Sequence, residues 1–547
     1  MIGCTHKASE FKQGQATMRS LTTTLLVALA LTGCSSGGGG GSPQLAPAWQ
    51  SGVFQPAANF TNQCAKPRSG TDPITNTPYP DRAGTLLDEK NWLRSWNNDL
   101  YLWYGEVVDQ NPANYATTQA YFDVLATTAV TPSGAPKDKF HFTYDTATWE
   151  ALALTGSQAG YGAQWIILSR SPPRSLVVAY TEPNSPATAP TADLQRGEAV
   201  ITVDGVSLPN ANTQAEIDML NAGLFPSAAG QAHTFMIQAL GGVTRTINMT
   251  SANIATASVQ NTRTIATANG TVGYLLFNDH LATAELALFN AFTALQAANV
   301  ADLVIDIRYN GGGYLDIASE VGYMVAGATR TNGKTFELTQ FNSKHPTIDP
   351  VTNTAITPTP FYSLSLGFAP GLGPNQPLPA VNLARVFVLT GPDTCSASEA
   401  VINGLRGAGV EVIQIGSTTC GKPYGFYPQD NCGTTYFSIQ FRGVNALNFG
   451  DYTDGFSPQN TVAVASGTPV GVLLPGCSVG DDFNHQLGDP AEARLAEALA
   501  YRQAGTGVCA SPPTGISKLL RAQSGAAMEA RLPASPLRAL MLPRPLH

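Results

Sequence analysis

The apolar positions change period along the chain, and each change marks a new region. From Leu86 to about Ala129 the spacing is helical: Trp92 and Trp96 lie four apart, and Leu93, Leu100 and Trp103 continue the stripe. An aromatic stripe at that spacing packs into a core, so residues 81–150 are read as a small N-terminal helical domain. From Tyr161 to Ser251 the pattern shortens to β-type runs: Trp165-Ile166-Ile167-Leu168, Leu176-Val177-Val178-Ala179 and Ala199-Val200-Ile201-Thr202-Val203. Pro, Asn and Gly separate them, and a helical stretch from Thr213 to Ala222 and two further strands follow. Residues 155–255 thus form a compact β-rich domain.

From about Gly270 strand and helix alternate. Strands are expected at Val272–Phe277, Leu303–Ile307, Ala384–Leu389 and Val410–Ile415. Helices are expected at Ala282–Ala298, Leu315–Val325 and Ser396–Arg406. Alternation of this kind predicts βαβ units on a largely parallel sheet over residues 256–510. The fold class expected is therefore a multidomain α/β protein. The Pro-, Arg- and Ala-rich segment 511–547 reads as a disordered tail.

The N-terminus adds an address. From Met18 one Arg precedes an apolar run, Leu21 to Leu31, which is shorter than the about 20 residues that span a bilayer. It fits a secretory signal ending at residue 33, the start lying at Met1 or Met18. Leu31-Thr32-Gly33-Cys34 resembles the bacterial lipoprotein signal, which implies lipidation of Cys34, a periplasmic location and anchoring to a membrane, the outer one by preference. Gly37 to Gly41 begin a flexible tether that runs on to residue 80. The net charge of −8 excludes a basic nucleic-acid-binding face. Without Cys4 and Cys34, six cysteines remain (64, 395, 420, 432, 477 and 509), an even set compatible with three disulfides in an oxidising compartment. Only Cys420 and Cys432 are near enough in sequence to favour a pairing. No CxxC or HxxxH spacing occurs, so neither metal nor cofactor is expected.

Parallel strands joined by right-handed crossovers present their C-terminal ends on one sheet edge, where ligands bind. Three features fall there: Asn310-Gly311-Gly312-Gly313, Ser396 and Lys422. Ser396 opens a helix, where the Ala397 amide and the helix dipole would stabilise an oxyanion. The glycines allow a second amide, that of Gly312, to approach. A buried lysine can serve as a base. Singly, each has a plain structural reading: Ser396-x-x-Glu399 is a capping box, Asn-Gly-Gly-Gly a turn, and Lys422 a solvated side chain.

In combination, Asp306-Ile307-Arg308-Tyr309-Asn310-Gly311-Gly312-Gly313, then Ser396-Ala397-Ser398-Glu399, then Gly421-Lys422 resembles the carboxyl-terminal processing (tail-specific) protease family. Lys422 follows Ser396 by 26 residues, close to the about 25 of that family's pattern. The resemblance implies a ClpP/crotonase-like protease core with a PDZ domain at 155–255. It implies Ser396 as nucleophile, Lys422 as base, and the amides of Gly312 and Ala397 as oxyanion hole. Tyr161, Gly162 and Ala163 would lie in a peptide-binding loop, and the partner would be a protein or peptide substrate. Two positions depart from the pattern: Phe426 stands where a Gln helps to orient the lysine, and Gly407 replaces an acidic residue. Gln429 is a candidate substitute. Related tricorn-type enzymes pair the serine with a histidine, which brings in His280 and, more remotely, His141. Ser398 is a weaker nucleophile candidate than Ser396. A catalytically inactive, peptide-binding lipoprotein is the alternative. The oligomeric state is not legible.

Overall fold

In a computed structural model, residues 49–461, 471–504, 508–509 and 540–542 are described. The signal segment, Cys34 and the start of the tether lie outside them. Helix α1 (Leu86–Leu100) starts at Thr85, whose side chain accepts the Asp88 N–H while Asp88 takes the Thr85 N–H in return. Trp92 and Trp96 stack 5.1 Å apart and pack with Phe122 and Tyr436. The helix stops well short of Ala129. Tyr101 turns to ψ 131°, and Asn111 precedes a proline, which disfavours a helical residue there. Only Thr118–Phe122 returns to α-helix before Ala129.

The β-rich region comprises β1 (Ala163–Ser169), β2 (Ser175–Thr181), β3 (Ala199–Val203), α2 (Gln214–Leu224), β4 (Ala232–Gln238) and β5 (Thr244–Thr250). The strands form one antiparallel sheet in the order β5-β4-β3-β2-β1. Trp165, Val178, Val200, Phe235 and Ile247 bury against Ile217 and Leu220 of α2, a core separate from the rest. β1 and β5 are its two edge strands.

The third region holds β6 (Val259–Thr267), β7 (Gly270–Phe277), α3 (Ala284–Ala297), β8 (Asp302–Asp306), β9 (Gly312–Tyr314), α4 (Leu315–Ala326), β10 (Arg385–Thr390), α5 (Ala397–Gly407), β11 (Glu411–Gly416), β12 (Tyr424–Gly425), β13 (Gly476–Ser478) and α6 (Ala493–Ala504). A last short strand, β14 (Leu540–Leu542), lies within the tail expected to be disordered. The main sheet runs β6-β7-β8-β10-β11-β13. Only β6 and β7 pair antiparallel; every other pair is parallel.

Side chains alternate across this sheet with period two, and both faces are covered. Leu275, Leu303, Ile305, Val386 and Val388 pack on one face against α3, α4 and α5. Tyr274, Val304, Phe387, Leu389 and Ile413 pack on the other against Leu495, Ala498 and Tyr501 of α6.

The six cysteines do form three disulfides, but not with the favoured pairing. Cys420 is bonded to Cys395, and Cys432 to Cys64; Cys477 joins Cys509. Closeness in sequence misled because the main sheet brings the β10 and β11 loops together, while Cys432 turns toward the N-terminal segment.

Candidate active site

β8, β10 and β11 are adjacent and parallel, so the chain leaves all three at one edge. The turn after β10 is stitched to the loop after β8. Thr394 Oγ1 accepts the Gly391 N–H at 2.9 Å and donates to Ile307 O at 2.8 Å. The Cys395 N–H donates to Asn310 O at 3.1 Å. Ser396 then takes φ 61°, ψ −115°, a region that costs a non-glycine residue about 1–3 kcal/mol. Strain of that kind collects at sites where a side chain must be presented. Ser396 is fully buried, and its Oγ has no hydrogen-bond partner among the described residues. Ala397, the first residue of α5, has no intrahelical acceptor for its N–H.

Glu399 organises the site. Its Oε2 accepts the N–H of Ser396 at 3.0 Å and that of Lys422 at 2.8 Å. Its Oε1 accepts the Gly421 N–H at 2.9 Å and the Thr419 hydroxyl. One carboxylate oxygen therefore fixes the backbone of both residues expected to react. The Cys395–Cys420 disulfide, with Cα atoms 5.1 Å apart, clamps the same two loops covalently.

Lys422 is fully buried. Burial pushes its pKa well below the usual lysine value, against the opposing charges of Asp138 and Glu399. The Phe426 ring centre lies 4.0 Å from Nζ, and that of Phe140 at 5.0 Å. Phe426 thus lines the lysine's pocket with an aromatic face where a Gln was looked for. Gln429 pairs with Tyr436 in a hairpin, and Gly407 packs tightly on Asn445.

Asn310 is a second organiser. Its Oδ1 accepts from Gly312 N–H at 3.0 Å and from His280 Nδ1 at 3.1 Å, and its amide donates to Phe277 O at 2.9 Å. The Gly312 amide, expected in an oxyanion hole, is committed to Asn310 in this arrangement. Because His280 Nδ1 is the donor, its Nε2 carries the lone pair; that atom is buried, with no partner among the described residues. Burial drives the His280 pKa down to about 3. Gly313 sits at φ 138°, and a Cβ there would meet His280 O at 2.5 Å, so only glycine fits.

The remaining candidates make the following contacts. Ser398 Oγ donates to Asn310 O at 3.0 Å. His141 stacks on Phe122 at 3.7 Å and bonds Phe122 O. The Tyr161 ring is buried against Phe235, its hydroxyl donating to Gly223 O at 3.0 Å. The carbonyls of Tyr161 and Gly162 accept from Ala187 and Glu182, and Ala163 begins β1 opposite Thr181. Reading the sequence missed Asp138 and took Glu399 and Asn310 only for cap and turn. Their motifs were visible; their reach across loops was not.

Residues 271–426 match the model of peptidase family S41. Among solved structures, the fold is similar to that of a putative S41 protease from Bacteroides fragilis, at 22% identity and a TM-score of 0.55, covering 78% of this chain and 98% of that one. The photosystem II D1 C-terminal processing protease matches at 18% identity and a TM-score of 0.38, over 67% of this chain and 90% of its own. No curated protein sequence matches the chain. The matched span contains His280, Asn310, Ser396, Glu399 and Lys422. The match to the peptidase family S41 model, from β7 to Phe426, thus spans the strands and loops that carry all five of these residues.

Proposed function

We propose that this protein is a cell-envelope serine endopeptidase of the tail-specific type, working through a Ser396–Lys422 dyad. The observation that carries the reading is the single Glu399 oxygen that holds the N–H groups of both residues. A neutral Lys422 amine takes the Ser396 proton as Oγ attacks the substrate carbonyl. The oxyanion meets the Ala397 amide at the start of α5. The Lys422 ammonium returns its proton to the leaving amine, and a water that it deprotonates then hydrolyses the ester. The second oxyanion donor falls to Gly313, because Gly312 is held by Asn310.

The β-rich domain acts as a PDZ-like module. Its edge strand β1 supports addition of an extended substrate segment. Three disulfides support export, and lipidation at Cys34 would anchor the enzyme. Labelling with palmitate that persists in Cys34→Ala would remove the anchor from this reading.

Mass spectrometry of an unfolded casein digest tests the chemistry. Ser396→Ala and Lys422→Ala should both abolish cleavage while leaving the circular dichroism spectrum unchanged. Full activity in Lys422→Ala would overturn the dyad. Identical digests from wild type and Ser396→Ala would instead favour an inactive peptide-binding protein.

A second reading makes His280 the base. It is favoured by the bare Nε2 and by the tautomer that Asn310 imposes. Under it, His280→Ala loses activity and Lys422→Ala keeps it.

A further inference from the structure

β14 runs parallel to β9, with Leu540 opposite Gly312, Met541 opposite Gly313 and Leu542 opposite Tyr314. β9 has two edges. One belongs to His280, whose N–H donates to Gly312 O at 2.9 Å and whose carbonyl accepts from Tyr314 N–H at 2.8 Å. In a strand, successive residues turn their polar groups to opposite edges. Gly313 therefore offers its N–H and C=O to the other edge, where β14 lies. β14 also lies beside α5, which Ser396 opens, and beside β12, which begins two residues after Lys422. Three residues of the tail thus occupy the space bounded by the nucleophile, the base loop and the glycine strand.

We propose that residues 540–542 are a built-in occupant of the substrate site: the tail binds there as a substrate-like strand and competes with protein substrates. The proposal rests on the peptidase reading and adds to it a resident ligand, an extended apolar segment of this same chain.

The sequence of the tail fits the role. Leu540-Met541-Leu542 is wholly apolar, and Pro536 and Pro543 flank it closely. Proline disfavours helix in the residue before it. Main-chain pairing gives a strand-addition site its affinity, and apolar side chains at alternate positions give it selectivity. The tether is ample: 30 residues separate Cys509 from Leu540, a reach of about 100 Å when extended. Because it belongs to the same chain, the segment meets the site at an effective concentration on the order of millimolar. A weak intrinsic affinity is then enough to fill the site, and an external substrate must displace it.

The test uses the full-length chain with Met541→Asp or Met541→Pro, the latter placing a rigid proline ring at the centre of the strand. With an apolar fluorogenic peptide, both variants should lower KM about tenfold, with kcat unchanged, as expected for loss of a tethered competitor. A synthetic peptide of residues 536–547 should inhibit Met541→Pro competitively. The same peptide, fluorescently labelled, should bind the Ser396→Ala, Met541→Pro double variant, read by anisotropy. Unchanged KM with no peptide binding overturns the proposal. Loss of a C-terminal fragment from wild type but not from Ser396→Ala also overturns it, because the tail would then be a substrate. If a variant loses its fold by circular dichroism, peptide binding to Ser396→Ala carrying the other substitution decides. If Ser396→Ala cleaves like wild type, the peptidase reading fails; anisotropy still reports whether the site takes the tail.

Discussion

Burial is the main influence on each titratable group at the site. Lys422 has its pKa lowered by desolvation, with Asp138 and Glu399 opposing. A base works only when neutral, so kcat/KM should climb as pH rises through that lowered value. Asp138 favours the charged form; Asp138→Asn should therefore move the ascending limb to lower pH. A limb that stays in place would remove Asp138 from the lysine's environment. His280 is depressed to about 3, below its unfolded value of roughly 6.5. Its contribution to stability is complete above that unfolded value. It is lost as pH falls toward about 3, because the unfolded state takes the proton first. His280→Gln should flatten the fall in urea midpoint between pH 7 and pH 4, compared with wild type. Glu399 presents a different case, since all its partners donate. In Glu399→Gln one oxygen becomes an amide donor facing other donors. A loss of about 1–3 kcal/mol in stability follows, with activity at least a hundredfold down because both loops lose their common acceptor. Near-wild-type turnover in that variant would show that the loops hold their places without it.

At the scale of elements, the site is a junction of three loops, each leaving a parallel strand. The Cys395–Cys420 bond closes a segment of 25 residues between two of them, worth about 3 kcal/mol in chain entropy. Replacing both cysteines with Ser should lower the unfolding temperature and reduce kcat more than KM, since Ser396 and Lys422 lose their covalent link. Unchanged kcat would reduce the bond to a staple. On the facing strand, Gly313→Ala drives a Cβ into His280 O, which is backbone and cannot swing aside. Both stability and turnover should fall, measured by thermal melt and peptide hydrolysis.

Across the whole molecule, an ion network joins the β-rich domain to the sheet edge. Fully buried Arg308 bonds Asp306 at 2.9 Å, Glu492 at 2.7 Å and Asp481 at 2.8 Å. Arg196, from the β-rich domain, reaches Asp481 at 2.7 Å and the Tyr309 hydroxyl at 2.8 Å. Arg308→Ala would strand buried carboxylates and should cost about 3–5 kcal/mol, read by denaturant unfolding.

What was legible in the sequence was whatever short-range periodicity dictates. The strands and helices expected between Val272 and Ile415 lie within a few residues of their expected bounds, because period-two and period-3.6 burial is written locally. The order of Asn310 to Gly313, Ser396 and Lys422 was also legible, since parallel topology alone carries all three to one edge. Only the tertiary structure decided the rest. Cysteine pairing depends on which loops meet in space. The commitment of the Gly312 amide depends on where Asn310 points, and the double hold of Glu399 depends on two loops arriving at one oxygen. The strand at Leu540 needs a free edge on β9, which no local pattern in the tail records. Each is a long-range contact between segments whose own sequences read as cap, turn or tail.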